Sequence, residues 1–298
     1  MIKTMSASKY LVALLLTITV FGGFGREAQA QSAVEGQLRA QLLSQIEMLL
    51  AEVQRLQAII AERESANYTL YRPYTSVFFP LDFETMYLVR DGQLFAIGSD
   101  ESFENADVHL FELFKAIVGE EVVDTYVREW RVFENESNDL GGFVELMAGT
   151  EDWIVGVNRE SFDISDLQSV KSFANLFVHE YAHILLFERE GMATAFEDTF
   201  WTAADLRHES AVNSASERNR FSVLRRYYQE NESRFVSDYA TMNPDEDLAE
   251  TFVSFVREAK PTGKTLRDQK ILFFYTYPDF VVLRSELRTN LAAENVLY

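Results

Sequence analysis

His179-Glu180-Tyr181-Ala182-His183 is the stretch on which the reading of this chain turns. On a helix, residues four apart stand one turn apart on the same face, so both imidazoles can point at a single ion. Glu180 follows the first histidine, so its carboxylate flanks that ion without having to bind it and can take a proton from a water there. Phe173, Leu176, Phe177, Ile184 and Leu185 give the surrounding segment apolar faces. Ser165 to Gln168 has the form of a capping box and Gly191 that of a C-terminal stop, which predicts a helix over 166–190. Two histidines and a glutamate in the apolar middle of such a helix would be costly unless paired or metal-bound. The expected cofactor is one Zn2+.

A catalytic zinc keeps three protein ligands and one open position, so the third ligand has to come from elsewhere. The metzincin pattern would need Gly at 186 and His at 189, but the chain has Leu186 and Arg189. Only His109 and His208 remain among the histidines. His208, in the polar run 205–209, is expected at the surface or facing substrate. His109, inside an apolar helical pattern, is expected as a satisfied structural residue. The stronger source is the stretch 239–252. Asn243-Pro244 suits a helix start, which puts Glu246 and Glu250 one turn apart on one face. One of them can bind the ion while the other orients a histidine through its second ring nitrogen. The residues alone leave open which does which.

With its H-E-x-x-H followed on a later helix by two glutamates four apart, the chain resembles the gluzincin peptidases. Within them it is similar to the anthrax-lethal-factor-like catalytic domains and related bacterial zinc-binding metallopeptidases, over about residues 140–290. That resemblance implies Glu246 as the direct ligand, Glu250 behind it, and Glu180 as catalytic base. It also implies a role for Tyr239, seven residues before Glu246, in stabilising the tetrahedral intermediate. The fold it implies is α+β: a zincin-like domain with a small mixed sheet and a mainly helical C-terminal half.

Upstream of the motif, 86–97 reads as a β-hairpin turning at Asp91-Gly92. A helix over 103–118 follows, then strands over 126–133, 143–147 and 153–158. Residues 152–158 have two readings: an edge strand along which an extended substrate pairs, or an internal core strand. After Ser165 the chain reads as helical almost to its end.

Formal net charge is −20 over 298 residues, which disfavours nucleic acid and anionic membrane surfaces as partners. There is no cysteine, so the metal must be held by nitrogen and oxygen. Residues 1–30 combine Lys3 and Lys9, the apolar run 10–24, and Ala28-Gln29-Ala30, which predicts a signal peptide cut after Ala30. An uncleaved anchor is the alternative; in both cases the remainder is exported to the periplasm, cell surface or exterior. Leu42, Ile46, Leu49, Val53, Leu56 and Ile60 form a heptad seam, so 31–66 is expected as a coiled-coil segment, with 37–64 either joining copies of the chain or folding back as an amphipathic helix. The domain boundary falls near 66, and 67–298 is the expected metallopeptidase domain. A peptide or protein is its expected substrate. The alternatives are hydrolysis of another amide, such as one in the cell wall, and a non-catalytic surface protein with a structural metal site.

Overall fold

Asp91 and Gly92 both adopt positive φ, 49° and 65°, and so close the hairpin between β1 (Thr85–Arg90) and β2 (Gln93–Ala96). Aspartate tolerates this conformation and glycine adopts it without steric cost. The computed structural model describes residues 42, 43, 45, 46, 49, 50, 83–97, 105–134, 140–160, 162–189 and 191–297. The chain divides into two compact units, Met1–Ala66 and Asn67–Tyr298. In the first, the described residues are helical, and Leu42, Leu43, Leu49 and Leu50 are exposed. The expected signal peptide and the seam residues Val53, Leu56 and Ile60 lie outside the described residues.

In the second unit, β1 pairs with β3 (Val127–Phe133), which runs parallel to β5 (Trp153–Asn158); β4 (Gly142–Leu146) lies antiparallel on the far side of β5. The order is therefore β2-β1-β3-β5-β4, with β2 and β4 as the edges among the described residues and β5 interior. This corrects the edge-strand reading of 152–158. Trp153, Ile154, Val155, Gly156 and Val157 are all buried, as the unbroken apolar run of a strand covered on both faces requires. Gly156 makes room for its neighbour, since a Cβ there would stand 2.1 Å from the Phe143 ring of β4.

α1 (Asn105–Val118) and a short α2 (Glu120–Tyr126) precede β3; the second helix occupies the residues just ahead of the expected strand start. On one face of the sheet, Trp130 of β3 meets Phe111 and Phe114 of α1 and Phe177 of α3 (Leu167–Phe187), with ring centroids 5.4–6.0 Å apart. Each such buried side chain contributes about 1.5–3 kcal/mol. This cluster fixes α3 across the sheet. On the opposite face, Phe133, Phe143 and Ile154 pack with Phe83, and the buried pair Glu129–Arg131 lies under the Phe83 ring.

The remainder is helical: α4 (Met192–Phe200), α5 (Ala203–Ser214), α6 (Glu217–Asn231), a 3-10 turn (Tyr239–Thr241), α7 (Pro244–Arg257), α8 (Leu266–Phe274) and α9 (Pro278–Ala293). α7 packs beside α3, buries Leu248, and sets Phe252 and Phe255 against Phe274, with Phe252 also against Phe280. Asn243 accepts from the Glu246 amide and Pro244 opens the helix, so Glu246 falls in the first turn of α7 and Glu250 one turn further on. The unit is thus α+β, a five-stranded sheet with a mainly helical remainder.

The ends of α3 differ from expectation. Its cap is Asp166, which accepts from the Gln168 amide, while Ser165 donates to Asp163 instead of forming a capping box. The helix stops at Phe187, and Gly191, at φ 78°, starts α4.

Candidate metal centre

α3 supplies His179, Glu180 and His183, and α7 brings Glu246 and Glu250 alongside. His179 Nε2 and His183 Nε2 are 3.1 Å apart; Glu246 Oε2 lies 3.1 Å from the first and 3.4 Å from the second. The three could hold a metal ion. Ligand atoms about 2.0–2.2 Å from one ion at tetrahedral angles stand roughly 3.3–3.6 Å apart, so this triangle fits a zinc within a few tenths of an ångström. A second observation points the same way. Glu246 Oε2 is buried and makes no hydrogen bond of acceptable geometry, although two imidazole nitrogens face it. An orphaned carboxylate oxygen opposed by two ring nitrogens is an arrangement that a cation completes.

Glu250 sits behind this triangle. Its Oε1 is 2.8 Å from His179 Nδ1, and its Oε2 accepts from Ser237 Oγ at 2.7 Å; Ser237 Oγ in turn accepts from the Ala240 amide. With Nδ1–H donating to Glu250, His179 presents the Nε2 lone pair to the other ligand atoms. Ser237 was not singled out in the sequence, because no spacing rule marks it. Its place in the loop before α7 becomes meaningful only once Glu250 turns inward.

The charges of the site are mutually dependent. Burial alone would push the His179 imidazolium down, but Glu246 and Glu250 overcome it and raise the group to about 10. Burial would raise Glu246, yet His179 and His183 bring it down to about 2. Without a metal, a proton is held where the carboxylates need positive charge; a metal must displace it. Glu180 differs. Burial raises its pKa, with Glu246 and Glu250 adding to the effect and the two histidines opposing it. It has no hydrogen-bond partner among the described residues and lines a cavity of about 680 Å³ that also reaches His179, His183 and Glu246.

The edge strand is part of this cavity, through Gly142, Phe143 and Val144. A Cβ on Gly142 would lie 3.0 Å from the Gly156 carbonyl oxygen and 3.3 Å from Glu180 Oε1, so the missing side chain lets β4 approach the glutamate closely. Tyr239 also lines the cavity, its ring 5.9 Å from that of His179. Burial, then Glu246, Glu180 and Glu250, raise its pKa, which keeps the phenol protonated at neutral pH; Arg220 opposes this.

A fully buried ion pair, Lys270 Nζ to Asp247 Oδ2, underlies the first turn of α7, with Trp201 Nε1 donating to the same oxygen. Satisfying Asp247 here fixes the helix on which its neighbour Glu246 projects into the cavity. The remaining histidines are elsewhere. His208 is buried and stacked on Tyr227, with centroids 3.8 Å apart, which corrects its expected surface position. His109 is exposed on α1, not a satisfied interior residue, because the apolar face of that helix falls on Leu110, Phe111, Leu113 and Phe114.

No family model matches the chain, and no curated protein matches it. Among solved structures it is similar to a "putative zinc-binding metallo-peptidase" from Bacteroides caccae, at 16% identity and TM-score 0.35, covering 62% of this chain and 74% of that one.

Proposed function

We propose that the chain is an exported zinc-dependent metallopeptidase of gluzincin type with a zincin-like catalytic domain. The observation that carries this is the His179–His183–Glu246 triangle, with an unpartnered glutamate, Glu180, in the same cavity. Zinc held by these three ligands would polarise a scissile carbonyl and lower the pKa of a water molecule to about 7.

The residues of the chain do the rest. Glu180 takes a proton from the attacking water and passes it to the leaving amine, and its raised pKa favours holding that proton between the two transfers. Tyr239 keeps its proton and donates to the developing oxyanion. Glu250 holds the His179 tautomer. The edge strand β4 lies beside Glu180, where an extended peptide could add to the sheet by backbone pairing, giving affinity with little sequence demand. Export rests on the leader-like residues 1–30, and assembly through 37–64 rests on the heptad seam.

Metal analysis of the purified protein, combined with Glu180→Gln and a peptide library, tests the reading. Wild type should contain about one zinc per chain and cleave peptides. The variant should keep the metal and lose at least roughly 100-fold in kcat. A zinc-loaded wild type that cleaves no peptide would replace this reading with a structural metal site, or with another amide as substrate.

A further inference from the structure

Two arginines line the metal cavity, Arg189 and Arg220. Arg189 is already committed, its Nη2 2.5 Å from Asp279 Oδ2. Arg220, on the first turn of α6, is not. It is only partly exposed, its Nε is buried without a hydrogen-bond partner, and no carboxylate pairs with it among the described residues. The chain has 47 acidic residues and 27 basic ones, and Arg131, Arg159, Arg234 and Arg267 have acidic partners; Arg257 also has a buried nitrogen without a partner, but it does not line this cavity. A guanidinium has five donors in a fixed fork that matches a carboxylate, and burying one of its N–H groups unsatisfied is costly.

The position of Arg220 gives the feature its meaning. α6 packs against the turn bearing Tyr239, and Arg220 and Tyr239 line the same cavity, so the cation enters it from the element beside Tyr239. The carboxylates at the centre do not satisfy it: Glu246 faces the two histidines and Glu250 faces His179 and Ser237. We infer that Arg220 is a specificity-determining residue that binds a carboxylate of the substrate. That carboxylate is either the free C-terminus of a peptide or an acidic side chain near the scissile bond. The inference rests on the peptidase reading and adds to it a substrate class that net charge alone would disfavour: an acidic peptide drawn to one local cation inside an acidic protein.

Two peptide pairs test it with the zinc-loaded full chain. The first is an N-acetylated neutral peptide with a free acid or an amide at its C-terminus; the second is an amidated peptide with Glu or Gln next to the cleaved bond. Wild type should prefer one charged member by roughly 10- to 100-fold in kcat/KM, the range of one charge-assisted hydrogen bond. Preference within the first pair assigns the terminal carboxylate, and preference within the second assigns the side chain. In Arg220→Gln the ratio should fall to within about twofold of unity, while Arg220→Lys should keep part of it. A role confined to tuning Tyr239 would change both members of a pair alike and leave the ratio intact. Ratios near unity in the wild type, or unchanged in Arg220→Gln, overturn the inference and leave the peptidase reading standing. Binding of the same peptides to zinc-loaded Glu180→Gln, measured by calorimetry, reads the ratio independently of turnover. If wild type cleaves none of the library, the peptidase reading fails while this measurement still decides whether Arg220 selects a carboxylate.

Discussion

Glu246 and Glu250 share one face of α7 but meet different atoms. Glu246 Oε2 stands opposite both Nε2 nitrogens, and Glu250 Oε1 reaches only His179 Nδ1. The two should therefore fail differently. Glu246→Ala removes a ligand atom and should abolish stoichiometric zinc; Glu250→Ala frees the His179 ring and should weaken zinc by roughly 10- to 100-fold. Chelator competition on both variants measures this, and a larger loss in Glu250→Ala would reverse the assignment. His179, Glu180 and His183 were legible because their spacing matches the helical repeat. The split between the two glutamates was not, because residues one turn apart are equivalent on a helix until a neighbour distinguishes Nε2 from Nδ1. Arg220 was invisible for a related reason: what marks it is a missing partner, and a sequence shows no partners.

Among the elements, the strands that bury both faces are the ones most easily misassigned. The run Trp153-Ile-Val-Gly-Val could serve as either an edge or an interior strand, and its continuous apolarity is the physical sign of the interior. Gly142-Phe-Val-Glu-Leu carries less signal but is the strand beside Glu180. The start of α5 shows how an element is pinned by charge. Asp205 is buried and accepts from the Thr202 amide and hydroxyl, from the Tyr227 phenol and from Arg234. Burial would raise its pKa, but these donors and the Arg234 charge hold it below the ordinary aspartate value. A depressed carboxylate stabilises the fold fully above its unfolded pKa, and loses that contribution as pH falls through the folded one. Asp205→Asn should thus cost about 3 kcal/mol at neutral pH, because it turns one acceptor into a donor facing donors. The gap between wild type and variant should begin to narrow as pH falls through about 4, the unfolded value, and close only below the folded one. Denaturant unfolding of both from pH 7 down to pH 3 measures it; a gap that stays constant through that range would mean Asp205 titrates normally.

At the scale of the molecule, residues 67–298 form their own compact unit, and His179, Glu180, His183, Glu246, Tyr239 and Arg220 all belong to it. Its sheet, the aromatic cluster around Trp130 and the ion pair under α7 are internal to it as well. No helix among the described residues is long and apolar enough to cross a membrane. If residues 1–30 are a leader and 31–66 a separate segment, the two should be removable in sequence without loss of the metal site. Expression of the full chain in an exporting host should yield a mature protein starting at Gln31, read by N-terminal sequencing. A chain starting at Asn67 should unfold cooperatively, bind zinc as tightly as the mature form and keep its kcat on short peptides. Comparing the two by light scattering isolates the segment between them. Loss of self-association only in the shorter chain assigns assembly to the heptad seam at 37–64. Loss of zinc or of cooperative unfolding in the shorter chain would overturn the expectation that 67–298 suffices.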